Sequence, residues 1–353
     1  MTSITKPKVQ HPSSTRNELG LSRRDYEGSM STLCAGCGHD SVTAALIDAF
    51  WQLDIPPHRV AKLSGIGCSS KTTAYFINQA HGFNSVHGRM PAVATGANAA
   101  NRELVFVGVS GDGDSLSIGL GQMCHAIRRN VSMLYVLENN GVYGLTKGQF
   151  SASADIGSKS KKGEANVQPP IDPVLLALTL GASFVARSFS GDKAQLVPIL
   201  KAGLMHGGFA LVDVISPCVT FNDHDGSTKS YLYTRQHNDE VAPVDFVPLR
   251  REIASPSGGN DDSLRSVTMH DGSTVHFRTL AHDYDPTNRE AAYSYVKAAH
   301  ERGEVATGLL YIDEGSADMH GVNGTIEGAL TNVPYEQLCP GNAKLQELME
   351  EYR

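Results

Sequence analysis

Gly111-Asp112-Gly113 closes an apolar run that begins at Leu104, and Asn139-Asn140 stands just past the next such run, Val131–Leu137. These residue types are the ones a hard cation asks for. Magnesium prefers oxygen ligands in octahedral array and shares itself with phosphates. Asp112 offers a carboxylate, Asn140 an amide oxygen, and the backbone carbonyl of Val142 completes a protein share of the shell. The flanking glycines let backbone amides approach an anion, and a helix starting after Asp114 would turn its N-terminus toward it. Taken alone, Gly-Asp-Gly is a common strand-to-helix turn. Joined to Asn139-Asn140 and Gly141-Val142-Tyr143-Gly144, it points to a magnesium-bridged diphosphate.

A second set of residues could hold a softer metal. Cys34-Ala35-Gly36-Cys37 precedes a helical pattern, Cys68 lies in Gly67-Cys68-Ser69-Ser70, and Cys218 follows Ser216-Pro217 at the end of another apolar run. Four thiolates suffice for a [4Fe-4S] cluster. A lone CxxC more often means zinc or a redox pair, so zinc and four unrelated thiols stand as alternatives. Cys124 falls inside a helical pattern as a core thiol, and Cys339 lies in the tail.

The elements that must position these residues read as α/β. His39–Leu53 carries Val42, Ala45, Leu46, Ala49, Phe50 and Leu53 at helical spacing. Arg59–Ser64, Glu103–Ser110, Val131–Leu137 and Phe209–Ser216 are short apolar runs that fit strands of a parallel sheet buried on both faces. Ser115–Arg129 and Asp192–Met205 read as crossover helices. The expected fold is a mostly parallel sheet with helices on both faces and an irregular C-terminal extension. Its parts are an N-terminal arm (1–29), an α/β domain (30–225) and the extension (226–353). Within the extension, Asn288–Arg302 reads as a helix and Ser255-Pro256-Ser257-Gly258-Gly259 as a loop.

Bulk properties limit the function classes. The chain has 353 residues, 41% apolar, with net charge −7 and a pI near 6.0, so a nucleic-acid surface is not expected. No run of eighteen apolar residues and no signal-like leader occur, so no membrane span is expected and a cytoplasmic location is. The six cysteines then read as thiols or ligands rather than disulfides.

The segments LCAGCGH, GIGCSSKT, HGRMPAVATG, GDGD, ENNGVYGLTKGQ and SPCVTFN occur here in the order seen in β subunits of 2-oxoacid:ferredoxin oxidoreductases. The chain resembles that family from about Asp25 to Asn222, and GLTKGQ and SPCVTFN look most like its 2-oxoglutarate branch. Ala35 stands where the family often has proline. The resemblance implies a thiamine-diphosphate-binding fold with thiamine diphosphate, Mg2+ and one [4Fe-4S] cluster. It implies cluster ligands at Cys34, Cys37, Cys68 and Cys218, and magnesium at Asp112, Asn140 and the Val142 carbonyl. Ile66, Gly67, Ser69, His87, Gly111 and Gly113 would contact the cofactor. Lys71 would face the substrate carboxylate, with Lys147 a second cation at the mouth and Leu145 shaping the pocket.

The activity so implied is oxidative decarboxylation of a 2-oxoacid to an acyl-coenzyme A and CO2, or the reverse, with electrons passing to ferredoxin. Thiamine enzymes also need a carboxylate on a pyrimidine-binding domain, which this chain has no strands to build. An α subunit supplying it is therefore expected, in an (αβ)2 complex. Other readings are a pyruvate-type or broad-specificity subunit, a non-redox thiamine enzyme whose cysteines hold zinc, and a scaffold subunit without cofactors. Intact Asp112, Asn140 and four cysteines weigh against the scaffold.

Overall fold

The computed structural model describes residues 6–7, 11–160, 162–242, 244–247, 264–270, 272–278 and 284–353. The expected loop Ser255–Gly259 lies outside these residues. The strands are β1 (Val60–Ser64), β2 (His81–Asn84), β3 (Val105–Gly111), β4 (Met133–Asn139), β5 (Val142–Tyr143), β6 (Gln149–Phe150), β7 (Phe184–Phe189), β8 (Phe209–Ile215), β9 (Asn238–Ala242), β10 (Val244–Val247), β11 (Leu264–Thr268), β12 (Thr274–Arg278) and β13 (Val305–Ile312). The helices used below are α1 (Gly38–Gln52), α2 (Ser69–Thr72), α3 (Met90–Ala100), α4 (Leu120–Arg128), α5 (Pro173–Leu180), α6 (Lys193–Met205), α7 (Tyr231–His237) and α8 (Arg289–Glu301).

Eight strands form one sheet in the order β2-β1-β3-β4-β8-β7-β13-β9. The first six are mutually parallel, and β13 runs antiparallel to β7. This is the mostly parallel architecture expected. Every residue of β4 and β8 is buried, because the sheet is covered on both sides. Alternation along the strands divides the core into two layers. Val107, Leu134, Val136, Val212 and Ala210 meet α1 and α6 on one face. Phe106, Met133, Tyr135, Leu137 and Leu211 meet α3, α4, α5 and α8 on the other.

The four apolar runs noted above are β1, β3, β4 and β8. Two further strands of the sheet, β9 and β13, come from beyond residue 225, as does α8, which packs against β13. A separate three-stranded antiparallel sheet, β10-β12-β11, lies against α6, where Lys201 sits 5.2 Å above the Phe246 ring. Residues of the N-terminal segment lie on α1, tied by the Arg23–Asp48 ion pair and by Trp51 Nε1 donating to the Leu21 carbonyl at 3.1 Å.

The crossover after β3 differs from the single helix expected over Ser115–Arg129. It opens with a wide π-type turn over Gly113–Ile118, and α4 begins only at Leu120. Asp114 is the cause. Its Oδ2 accepts from Ser110 Oγ at 2.9 Å and its Oδ1 from the Gly88 amide at 2.6 Å, while Gly119 N donates to the Asp114 carbonyl. A methyl group on Gly88 or Gly119 would lie within 2.9 Å of the other's backbone, so only two glycines allow this approach.

Candidate functional site

β1, β3, β4 and β8 are consecutive neighbours in the sheet, and each ends at a loop singled out from the sequence. Gly65–Ser69 follows β1, Gly111–Gly113 closes β3, Asn139–Val142 follows β4, and Ser216–Cys218 follows β8. Open α/β sheets bind ligands outside the carboxyl ends of their strands. One cleft there is lined by Ile66, Gly67, Cys68, Ser69, Gly111, Asp112, Gly113, Asn140 and Val142, together with His39, Asp114, Tyr143 and Gly144.

Asp112 is 1% exposed. The Gly141 amide donates to its Oδ2 at 2.8 Å, and the hydroxyls of Ser151 and Ser153 donate to the same oxygen. Its Oδ1 takes none of these three. Asn140 Oδ1 accepts from the Val142 amide at 3.1 Å, and the Asn140 carbonyl accepts from Asn222 Nδ2 at 2.8 Å. Gly141 has φ +77°, which lets the chain reverse between the two residues. Gly113 meets Tyr143, whose hydroxyl donates to the Gly113 carbonyl at 2.8 Å. The arrangement offers hard oxygens from two adjacent strand ends beside a glycine-lined floor, a donor set that fits magnesium and a diphosphate.

Behind it, Asn139 is held from two sides. Ser153 Oγ lies 2.9 Å from its Oδ1, sharing its one proton between this oxygen and Asp112, and Asn139 Nδ2 donates to Asp213 Oδ1 at 3.0 Å. Arg187, buried on β7, bonds Asp213 and Asp172 at 2.7 Å each. Asp172 also caps α5, accepting from Val174 N and Leu175 N.

The four cysteines of the motif set gather at one end of this cleft. Cys37 N donates to the Cys34 carbonyl at 3.0 Å, closing the CxxC turn, and Gly38 N reaches the Pro217 carbonyl at 3.3 Å. A Cβ built on Gly144 would lie 3.4 Å from Cys68 Sγ and 3.5 Å from Cys218 Sγ, so the hairpin β5–β6 roofs both sulfurs. Thr220 Oγ1 donates to Cys34 Sγ at 3.5 Å. Burial pushes the Cys37 thiol up to about 12, and the charges of Glu138, Cys218 and Cys68 add to the shift. Burial likewise raises Cys68 and Cys218, with neighbouring cysteines contributing. Metal binding must therefore displace protons here. Cys124 is half-buried on α4, and Cys339 is exposed.

The remaining candidates divide. Lys71, on α2, lies close enough to Cys68 for its charge to oppose the rise in that thiol. Leu145 and Lys147 are exposed in the roof loop, where Lys147 adopts φ +85°. His87 is exposed and not among the cleft-lining residues, although its neighbour Gly88 docks on Asp114. Several residues of the site were not foreseen. Ser151 and Ser153 carry no signal, being common residue types. Glu138 did carry one, as the only charge in an otherwise apolar run leading to Asn139. It is fully buried, and burial raises its carboxyl well above the ordinary range, opposed by the Thr72 hydroxyl at 3.1 Å from Oε2. His39 lies 3.6 Å away, lowered by burial to about 4.

Residues 65–214 match the family described as thiamine pyrophosphate enzyme, C-terminal TPP binding domain. The chain is 38% identical over 238 residues to the 2-oxoacid:ferredoxin oxidoreductase subunit beta of Saccharolobus solfataricus, covering 67% of this chain and 75% of that one. It is 40% identical over 191 residues to the 2-oxoglutarate oxidoreductase subunit KorB of Mycobacterium tuberculosis, covering 54% and 51%. Among solved structures it matches a 2-oxoglutarate:ferredoxin oxidoreductase from Magnetococcus marinus with 2-oxoglutarate, coenzyme A and succinyl-CoA bound. The TM-score is 0.70 at 29% identity, over 89% of this chain and 92% of the other.

Proposed function

This chain belongs to the β subunits of the 2-oxoacid:ferredoxin oxidoreductases, and we propose that with an α subunit it converts 2-oxoglutarate and coenzyme A to succinyl-CoA and CO2, or runs the reverse carboxylation. The observation that carries this reading is the meeting of two motif sets at one sheet edge. The oxygen ligands, Cys68 and Cys218 occupy loops after neighbouring strands, and Cys34 and Cys37 join them from the turn before α1, so a thiamine centre and an electron acceptor would sit side by side. Support for 2-oxoglutarate comes from the Magnetococcus marinus relative, described with that acid bound.

Thiamine diphosphate, when bound, supplies the carbanion chemistry. The chain's own residues bind and orient. Asp112, Asn140 and the Val142 carbonyl would hold Mg2+, with Ser151, Ser153 and Gly141 fixing the Asp112 carboxylate. Ile66, Gly67, Ser69, Gly111 and Gly113 would take the cofactor, with His87 approaching from its loop. Cys34, Cys37, Cys68 and Cys218 would hold a [4Fe-4S] cluster, and the β5–β6 hairpin would keep water from it. Lys71 would face the 1-carboxylate. Lys147 and Leu145, in the roof loop, would meet the distal end of the acid.

The α subunit would contribute the pyrimidine-binding domain in an (αβ)2 complex, and a ferredoxin would take electrons from the cluster. No described helix is long and apolar enough to cross a membrane. The free cysteines fit a reducing cytoplasm. The test is to co-purify the chain anaerobically with its partner, then assay coenzyme-A-dependent dye reduction on 2-oxoglutarate and pyruvate and measure iron and acid-labile sulfide. Coenzyme-A-dependent turnover favouring 2-oxoglutarate, with about four irons per chain, is expected. Zinc in place of iron would refute the redox reading, and a preference for pyruvate would refute the substrate.

A further inference from the structure

His206, His270 and Glu314 meet at the sheet edge opposite the cleft, and all three ligand atoms lie within 4.8 Å of one another. His206 stands between α6 and β8, Glu314 just past β13, and His270 in the turn joining β11 to β12. The surrounding hydrogen bonds fix which nitrogen of each ring carries a proton. Phe209 N donates to Asn130 Oδ1 at 2.8 Å, so that oxygen is an acceptor, and Asn130 Nδ2 donates to the Ala317 carbonyl. The single Ser183 hydroxyl proton goes to the same Asn130 oxygen at 2.7 Å. Ser183 Oγ therefore accepts from His206 Nε2 at 2.7 Å, which leaves a lone pair on His206 Nδ1.

His270 follows the same logic. Gly207 N donates to its Nδ1 at 3.1 Å, so its proton sits on Nε2, which faces the Ser316 carbonyl at 3.4 Å. His206 Nδ1, with its lone pair free, lies 3.6 Å from Glu314 Oε1, and His270 Nδ1, whose lone pair takes the Gly207 amide, lies 3.4 Å from Oε2. Among the described residues, His206 Nδ1 and both Glu314 oxygens are buried without a hydrogen-bond partner. A free nitrogen lone pair beside two buried, unpartnered carboxylate oxygens is repulsive unless a cation stands between them.

We infer that His206, His270 and Glu314 bind one divalent cation of the zinc class. Two imidazoles and a carboxylate suit a borderline metal and not magnesium or calcium. One ligand atom from each residue lies within 4.8 Å of the other two, close enough for a single ion to gather them with small side-chain shifts. The Nε2 protons directed at Ser183 and Ser316 supply the outer contacts that orient metal-bound histidines. His270 would exchange its Gly207 bond for the metal. The ion would clasp the α6–β8 corner, the end of β13 and the turn of the small sheet, a structural role remote from the reaction.

The test uses the full chain in complex with its partner, treated with EDTA and titrated with zinc sulfate alone. One tight equivalent per chain is expected, with nitrogen and oxygen scatterers at about 2.0 Å in zinc X-ray absorption. His270→Ala, on the more exposed turn, and Glu314→Gln should each weaken binding at least ~100-fold, and Ser183→Ala by ~10–100-fold. Iron content and circular dichroism should not change. No zinc retained at micromolar concentration would overturn the site. So would zinc held by sulfur at about 2.3 Å, or affinity unchanged in both ligand variants.

Discussion

Replacing Gly113 by alanine would place a methyl carbon 2.5 Å from Tyr143 Cε1 and 2.7 Å from Cζ. Carbon atoms in favourable contact sit about 3.5–4.0 Å apart, so the ring must retreat by roughly 1 Å. Tyr143 is not free to do so without loss, because its hydroxyl donates to the Gly113 carbonyl at 2.8 Å. Overpacking of this kind costs about 1–3 kcal/mol, and the lost hydrogen bond about 0.5–1.5 kcal/mol. Tyr143 lines the cleft, so the displaced ring enters the space of the bound cofactor. These costs fall on the stability of the free protein, and the displaced ring should in addition weaken thiamine diphosphate by about 10-fold or more, at about 1.4 kcal/mol per decade. Calorimetric titration of the magnesium–cofactor pair into the αβ complex measures this. The companion variants are Tyr143→Phe, which removes only the hydrogen bond, and Gly113→Ala/Tyr143→Ala, which removes the obstacle. The double variant should bind better than Gly113→Ala alone. If Gly113→Ala binds normally, or the double variant binds no better, the steric reasoning fails.

Other outcomes follow from the same structure. Asp112→Ala and Asn140→Ala should each abolish magnesium-dependent cofactor binding, and calorimetry showing normal affinity in both would remove them from the metal shell. Cys68→Ser should lose the cluster while Cys124→Ser and Cys339→Ser keep it, read as iron and acid-labile sulfide per chain. Lys71→Ala should impair turnover of every 2-oxoacid. Lys147→Ala should raise the apparent KM for 2-oxoglutarate about tenfold more than for pyruvate, as expected for loss of one partly exposed charge-assisted bond. Lys62, buried on β1 with its ammonium on the Phe76 and Ile77 carbonyls, is lowered by burial to about 8. Below pH 8 the folded chain carries this buried charge. Between pH 8 and 10.5 the unfolded chain holds a proton that the folded chain has lost, so stability rises with pH, by up to about 3 kcal/mol. Lys62→Met should flatten that rise in denaturation midpoints, and an unaltered slope would show that Lys62 does not cause it.

Four strands were legible as short, mostly apolar runs, although β1 carries Lys62 and β8 carries Asp213. β7 reads Phe-Val-Ala-Arg-Ser-Phe, and Arg187 breaks the run. Yet Arg187 is buried, because Asp172 and Asp213 bond it from either side. A charge in a strand signals an edge only when no counter-charge is known, and both partners lie on other elements. β13 was hidden differently. Val305–Ile312 is strongly apolar, but its polar surroundings read as an irregular tail, and a bulge between Leu309 and Tyr311 shifts its register. The π-type turn after Asp112 depends on Gly88 and Asp114 together, a contact that helical periodicity cannot register.

Residue type carried the site because the chemistry admits few alternatives. Hard oxygens for magnesium and thiolates for iron each narrow the choice to two or three side chains. Position in space was another matter. Nothing in the spacing of Cys34, Cys68 and Cys218 brings them together until β8 is inserted beside β4, which carries the loop after residue 215 to the edge that holds the loop after residue 64. Parallel pairing then forces the result, since every crossover returns the chain so that its next carboxyl end lies on the same side. The clasp at His206, His270 and Glu314 shows the converse. Those three residues share no motif and no spacing, and they meet because β13 runs antiparallel to β7 and brings its carboxyl end to the amino ends of β7 and β8. Reversing strands β13 and β9 beside a parallel sheet thus makes a second edge where side chains from distant segments converge, and there the unpartnered atoms, rather than any pattern in the chain, mark the site.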